Sequence, residues 1–329
     1  MESRKNEHIK ISLNENIEFG KNGFENYRFI INSLPEISFE DIDTGTEFLD
    51  KKISAPIILS SITGGSSYKK INENLAKAAQ SLKIAVSVGS ERVLLENKKF
   101  IDEFNIRKYC SNVPLIGNLG AVQLNYGFSA EDCRKAVELI DADALYLHLN
   151  PLQEALQKTG QTNFRGLVKK IGKVNKELDY PLMIKEVGTG ISGNVGERLK
   201  KIGIKYLDVA GYGGTNFASI ESMRKGIYDT PFSELGIPTA ESIEANKDLG
   251  FFLIASGGIR NGLEIAKAIC LGADLCGIAL PVLKPATISS FEVEKTIKKI
   301  INELKITMFS LGVKNIDELK NCRLLKKQD

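Results

Sequence analysis

The amino-acid sequence predicts an α/β fold, a (β/α)8 TIM barrel that carries an N-terminal extension and an insertion between its sixth and seventh strands. Three features point there. Short β-branched or aliphatic runs recur eight times, helix-period segments follow them, and polar or glycine-rich clusters stand at the C-terminal end of nearly every run.

The runs occupy residues 56–61, 85–88, 115–118, 144–148, 181–186, 206–209, 252–255 and 275–278, with starts spaced by 29, 30, 29, 37, 25, 46 and 23 residues. Each spacing is close to one strand–helix unit. The stripe after the first run is Ile71, Leu75, Ala78 and Leu82, and after the third Cys133, Ala136, Val137 and Ile140. Val195, Leu199 and Ile202 follow the fifth run, and Leu263, Ala266 and Cys270 the seventh. After the second, the segment around Phe100, Ile101 and Phe104 is short and less periodic. A doubly wound open sheet also fits this alternation. It would gather its polar residues at one crevice, whereas a barrel collects them from every strand end, as here.

Residues 1–329 read as a single domain. Residues 1–45 form an extension with little periodicity, and 288–329 a closing helix and tail whose apolar spacing runs over 291–311. The long gap before the seventh run holds an insertion at about 223–239, with Pro231 and Pro238, suited to a lid or interface loop. At 43% hydrophobic and 26% charged residues, the chain can bury a large core. A formal charge of +3 is too small to point to nucleic acid. Five cysteines without metal-ligand spacing read as buried free thiols in a reducing compartment. A charged N-terminus and the lack of a membrane-length apolar run predict a soluble, cytoplasmic protein.

The chemistry-bearing strings sit at the strand ends. Residues 255–262 (Ala-Ser-Gly-Gly-Ile-Arg-Asn-Gly) leave the seventh strand and open a helix, where free N–H groups and adjacent glycines suit a phosphate. The eighth strand ends in Ala279 and Leu280, and the sixth in Gly211-Tyr-Gly-Gly-Thr215, a second close approach with a hydroxyl. Lys185 ends an apolar strand, so its ammonium either pairs with Glu186 or meets an electron-rich ligand. Ser61, Thr63, Ser90 and Asn118 are caps or turn residues singly, and a ring-binding rim together. His148, one of two histidines, opens His-Leu-Asn-Pro-Leu-Gln-Glu; it is a structural histidine or a functional one. Glu154 in that string offers one hard ligand of the kind Mg2+ takes beside a diphosphate. The basic start around Arg4 and Lys5 is a charged tail or an anion-pairing arm, and Arg92 is a second candidate clamp.

Taken in order from residue 4 to about 280, these strings resemble the type 2 isopentenyl-diphosphate isomerases, FMN-dependent barrel enzymes. The resemblance rests on Arg-Lys-x-x-His-Ile at 4–9, Ser-x-Thr-Gly-Gly at 61–65, Ser-Val-Gly-Ser-x-Arg at 87–92, Asn-Leu-Gly-Ala at 118–121 and His-Leu-Asn-Pro-Leu-Gln-Glu at 148–154. It continues through Lys-Glu-Val-Gly-x-Gly-Ile-Ser at 185–192, Gly-x-Gly-Gly-Thr at 211–215, Gly-Ile-Pro-Thr-Ala at 236–240 and Ser-Gly-Gly-Ile-Arg at 256–260. It implies that FMN is held by Ser61, Ile62, Thr63, Ser90, Asn118, Lys185, Thr215, Gly257, Gly258, Arg260, Ala279 and Leu280. It further implies substrate contacts from Arg4, Lys5, Ser90, Glu91, Arg92 and Gln153, catalytic roles for Gln153 and His148, and Mg2+ on Glu154. The implied reaction converts isopentenyl to dimethylallyl diphosphate with reduced FMN, the reductant being NADPH and the assembly a homo-oligomer, tetramer or octamer.

The chain departs from the family pattern in places. It has no tryptophan, with Phe217 and Leu235 standing where the family carries one; Glu91 replaces a common glutamine and Ala210 a common serine. The alternative within the same fold is an FMN-dependent 2-hydroxy-acid oxidoreductase, which needs a base, commonly histidine, beside the flavin, and the seventh-strand loop has none. A flavin-binding protein without catalysis would need neither Gln153 nor Glu154.

Overall fold

The computed structural model describes residues 2–60 and 69–328, with residues 2–6 as backbone alone. Eight parallel strands close into a barrel: Ile57–Leu59, Ala85–Ser87, Leu115–Gly120, Ala144–His148, Leu182–Lys185, Tyr206–Asp208, Phe252–Ala255 and Leu275–Ile278. All eight expected strands are present. The barrel shuts where the eighth strand pairs with the first, Cys276 opposite Ile57 and Ile278 opposite Leu59.

Alternation along the strands sorts the interior into layers. Ile58, Ile116, Tyr146, Met183 and Ile254 build one buried apolar floor. The next inward residue on each strand is small or polar: Ser60, Ser87, Asn118, His148, Lys185, Asp208, Ser256 and Gly277. Register holds these at one height, His148 opposite Lys185 and Lys185 opposite Asp208. Below the floor, a hairpin of Thr46–Phe48 and Lys51–Ile53 plugs the other end of the barrel. Its Phe48 is fully buried and stacks on Phe252 at 5.3 Å between ring centroids.

A second, larger core lies between strands and helices. The helix Ser290–Leu311 covers the outside with Val293, Ile297, Ile300, Leu304, Met308 and Leu311, as the spacing predicts. Two expectations are corrected here. The helix Gly262–Leu271 buries Ile265, Ala266, Ala268 and Ile269, while Leu263 faces solvent and Cys270 is half-buried. That helix is apolar on nearly every side, so the spacing alone selects no face. Cys322 is also half-buried, so only Cys110, Cys133 and Cys276 fit the expectation of buried thiols.

The N-terminal extension is more ordered than its weak periodicity implies. Glu2–Asn14 is a helix that buries His8, Ile9 and Ser12 on a narrow stripe. Tyr27–Phe29 then pairs antiparallel with Leu325–Lys327, tying the extension to the C-terminal tail. The insertion continues the helix Phe217–Met223 into a 3-10 turn at Pro231–Glu234 and exposes Ile227, Tyr228, Phe232 and Leu235. Among the described residues no helix is long and apolar enough to cross a membrane.

Candidate active site

At the C-terminal mouth of the barrel, the polar layer opens into a cleft. Ser60, Asn118, His148, Lys185 and Ser256 form its base. Its walls come from three directions: the glycine-rich loops after the last strands, the segment following His148, and the N-terminal helix.

One wall is a backbone cup. Gly214, Thr215, Gly257, Gly258, Ala279 and Leu280 line it. Gly257 and Gly258 have φ of 101° and 77°, and a Cβ on Gly258 would stand 2.3 Å from the Gly213 carbonyl oxygen. Only glycine fits there. Arg260 does not line the cleft; its guanidinium donates to the carbonyls of Gly258 and Gly213, both at 2.6 Å, and pairs with Glu18 at 2.8 Å. It therefore ties the two loops of the cup together. The helix beginning at Gly262 and the helix beginning at Leu280 both start from this wall.

At the base, Lys185 donates to the carbonyl oxygen of Glu186 at 2.5 Å and lies 5.9 Å from the centre of the Tyr146 ring. The Glu186 carboxylate is turned elsewhere, with one oxygen accepting from the backbone of Val187, Gly188 and Thr189. The side-chain ion pair weighed for Lys185 is thus not formed. Burial pushes the Glu186 carboxyl up from its ordinary range, against the pull of those N–H groups. Asp208, fully buried, is likewise pushed up by burial and held down in part by the Lys185 charge; it accepts from Ser256 Oγ at 2.6 Å and from the Tyr146 hydroxyl at 3.3 Å.

The second wall carries the His148 string. His148 Nδ1 lies 2.8 Å from Asn118 Oδ1, which orients the ring over the base. Asn150 caps the helix Pro151–Leu156, and its amide donates to both Gln153 Oε1 at 3.1 Å and Glu154 Oε1 at 3.0 Å. The other Glu154 oxygen accepts from the backbone N–H of Gln161 at 2.6 Å. Asn150 Oδ1 is buried beside them without a hydrogen-bond partner. Among the described residues no cluster of three or more His, Cys, Asp or Glu side chains could hold a metal alone. Arg92 reaches the cleft and donates to Glu96 and to Gln161 Oε1. Ser90 also lines it. Glu91 does not: it is fully buried and accepts from the Asn118 backbone N–H at 2.7 Å, bracing the third strand end.

The third wall is the N-terminal helix. His8 faces the cleft and its Nε2 lies 3.0 Å from Glu221 Oε1. Gln153 donates weakly to that same oxygen at 3.4 Å, and Arg224 reaches the other at 2.7 Å. Burial alone would raise the Glu221 carboxyl, but the hydrogen bond from His8 and the Arg224 guanidinium bring it below its ordinary value. Phe217 meets the His8 ring edge-on at 6.0 Å between centroids, while Leu235 is exposed.

The structure therefore gathers Ser90, Arg92, Asn118, His148, Gln153, Glu154, Lys185, Thr215, Gly257, Gly258, Ala279 and Leu280 around one cleft. Arg4 and Lys5 stand on the helix that forms the third wall, though their side chains, and the whole of Ser61, Ile62 and Thr63, lie outside the described residues. Sequence reasoning missed Glu221, Gln161, Asn150 and His8 as groups of the site. Only His8 and Asn150 had a signal, since both fall inside quoted strings.

Residues 148–326 match the family described as FMN-dependent dehydrogenase. An isopentenyl-diphosphate delta-isomerase of Nostoc sp. is 44% identical over 337 residues, covering 99% of this chain and 96% of its own length. Another, from Rickettsia bellii, is 44% identical over 332 residues, covering 98% and 96%. Among solved structures, a flavocytochrome b2 with sulfite bound aligns with a TM-score of 0.72 at 18% identity, covering 97% of this chain and 82% of that one. That last likeness is one of fold.

Proposed function

Because the chain belongs to the isopentenyl-diphosphate delta-isomerase family, we propose that it binds FMN and moves the double bond of isopentenyl diphosphate to give dimethylallyl diphosphate. The observation that carries this reading is the single cleft in which a glycine cup, a lysine at the base and the Gln153–Glu154 pair face one another. The cup has the free backbone and helix starts that an FMN phosphate needs. Thr215, Gly257, Gly258, Ala279 and Leu280 take the phosphate, with Arg260 bracing the loops; Ser90 and Asn118, with Ser61, Ile62 and Thr63, edge the ring.

Bound and reduced, FMN supplies an electron-rich, anionic ring that stabilises developing positive charge and exchanges protons with the isoprene unit. Lys185, which meets no carboxylate at hydrogen-bond distance among the described residues, holds that negative charge. Gln153 positions and relays the proton, an amide being a poor acid by itself, and His148 orients the substrate from the base. Glu154, with the orphaned Asn150 Oδ1 beside it, suits one side of a Mg2+ shell whose remaining ligands are diphosphate and water. Arg92, Ser90 and the arm bearing Arg4 and Lys5 pair with the diphosphate; Glu91 braces the Asn118 backbone and contributes no direct contact. On the same reading residues 1–329 act as one unit, NADPH reduces the flavin, and the enzyme works as a tetramer or octamer in the cytoplasm.

The dehydrogenase reading is weaker, since residues 255–262 hold no histidine to abstract a proton beside the ring. The purified protein is expected to turn over isopentenyl diphosphate only with FMN, a reductant and Mg2+. Gln153→Asn and Glu154→Ala each lower the rate by about a hundredfold or more. Full anaerobic turnover without any flavin rejects the proposal.

A further inference from the structure

Two of the five cysteines differ from the others. Cys110, Cys133 and Cys276 are buried, whereas Cys270 and Cys322 are half-buried on the outside of the barrel, away from the cleft. Cys270 sits near the end of the helix Gly262–Leu271; Cys322 follows the short helix Ile316–Lys320. Although far apart in sequence, they share an acceptor: the Leu319 carbonyl receives the Cys270 thiol at 3.1 Å and the Cys322 backbone N–H at 3.1 Å. The helices Gly262–Leu271 and Ile316–Lys320, which carry or precede the two thiols, pack directly on each other.

We propose that Cys270 and Cys322 are a modification site, a thiol pair that a peroxide oxidises to an intramolecular disulfide. The Cys322 thiolate attacks one peroxide oxygen and the O–O bond breaks, releasing hydroxide that is protonated to water. The Cys270 sulfur then displaces the hydroxyl from the resulting Cys322 sulfenic acid, again as water. Two thiols lose two electrons and two protons; one hydrogen peroxide becomes two waters. The order follows from the geometry: the Cys270 thiol is engaged as a donor to the Leu319 carbonyl, so the first attack falls to Cys322.

The bond closes a covalent loop around the eighth strand, the helices Leu280–Ile288 and Ser290–Leu311, and the helix Ile316–Lys320. Restricting that loop in the unfolded chain stabilises the folded one. The C-terminal tail, already zipped to Tyr27–Phe29, would be fastened to the helix that starts at the glycine cup.

The test is thiol counting on the full chain, oxidised while folded and alkylated after unfolding in urea. After brief hydrogen peroxide treatment, two of the five thiols should resist alkylation and return with dithiothreitol. Peptide mass mapping should find Cys270 joined to Cys322, and the urea midpoint should rise on oxidation. Cys322→Ser and Cys270→Ser should each abolish both the cross-link and the rise. Five persistent thiols, a cross-link between other cysteines, a linkage between two chains on a non-reducing gel, or sulfinic acid at Cys322 without a bridge would each overturn the proposal.

Discussion

Glu221 shows how a side chain acquires meaning only from its neighbours. At 1% exposure it is held by His8 from one side and Arg224 from the other, with Gln153 at its edge. Its folded pKa lies below the ordinary 4.5, so its stabilisation is complete above that value and disappears as pH falls through the folded one. Urea midpoints measured against pH should therefore fall more steeply below about 4.5 in the wild type than in Glu221→Gln, and equal slopes would refute the linkage. Nothing in the sequence singles this residue out, because its burial comes from the N-terminal helix laid across it. Gln161 was hidden because its partners Arg92, Gln123 and Glu154 come from three separate segments. By contrast, the glycines of the cup were legible: a backbone that must approach another backbone leaves no alternative residue.

Elements differ in how openly they declare themselves. The barrel strands stood out because runs of buried aliphatic residues end abruptly in small and polar ones, and that switch marks both the strand and its position on the rim. The helix Glu2–Asn14 did not, since a narrow stripe of His8, Ile9 and Ser12 is too little pattern among charged residues. The face of Gly262–Leu271 was misread because nearly all its positions are apolar. The loop ahead of that helix carries a sharp expectation. Gly258→Ala places a methyl against the Gly213 carbonyl at a φ of 77°, which should weaken FMN retention by about tenfold or more, equivalent to about 1.4 kcal/mol. Flavin absorbance remaining after gel filtration measures it, and unaltered retention would remove the cup from the cofactor site.

For the molecule as a whole, the two ends of the barrel do different work. The mouth holds polar groups in register, and the opposite end is sealed by a hairpin whose Phe48 stacks on Phe252. Phe48→Ala should cost about 3–5 kcal/mol of stability, seen as a lower urea midpoint at unchanged slope. A loss below about 1 kcal/mol would mean that the plug is not part of the core. Barrel closure and the ribbon that joins Tyr27–Phe29 to Leu325–Lys327 share a consequence in time. The arm that will flank the mouth is made before every segment that holds its base: Asn216, Ala240, Gly258 and Arg260, and then residues 325–327. The rim is likewise incomplete until the eighth strand can reach the first. The cleft is therefore assembled only once residues 275–278 have been made, and before that point the nascent protein has no complete ligand site for a cofactor to stabilise.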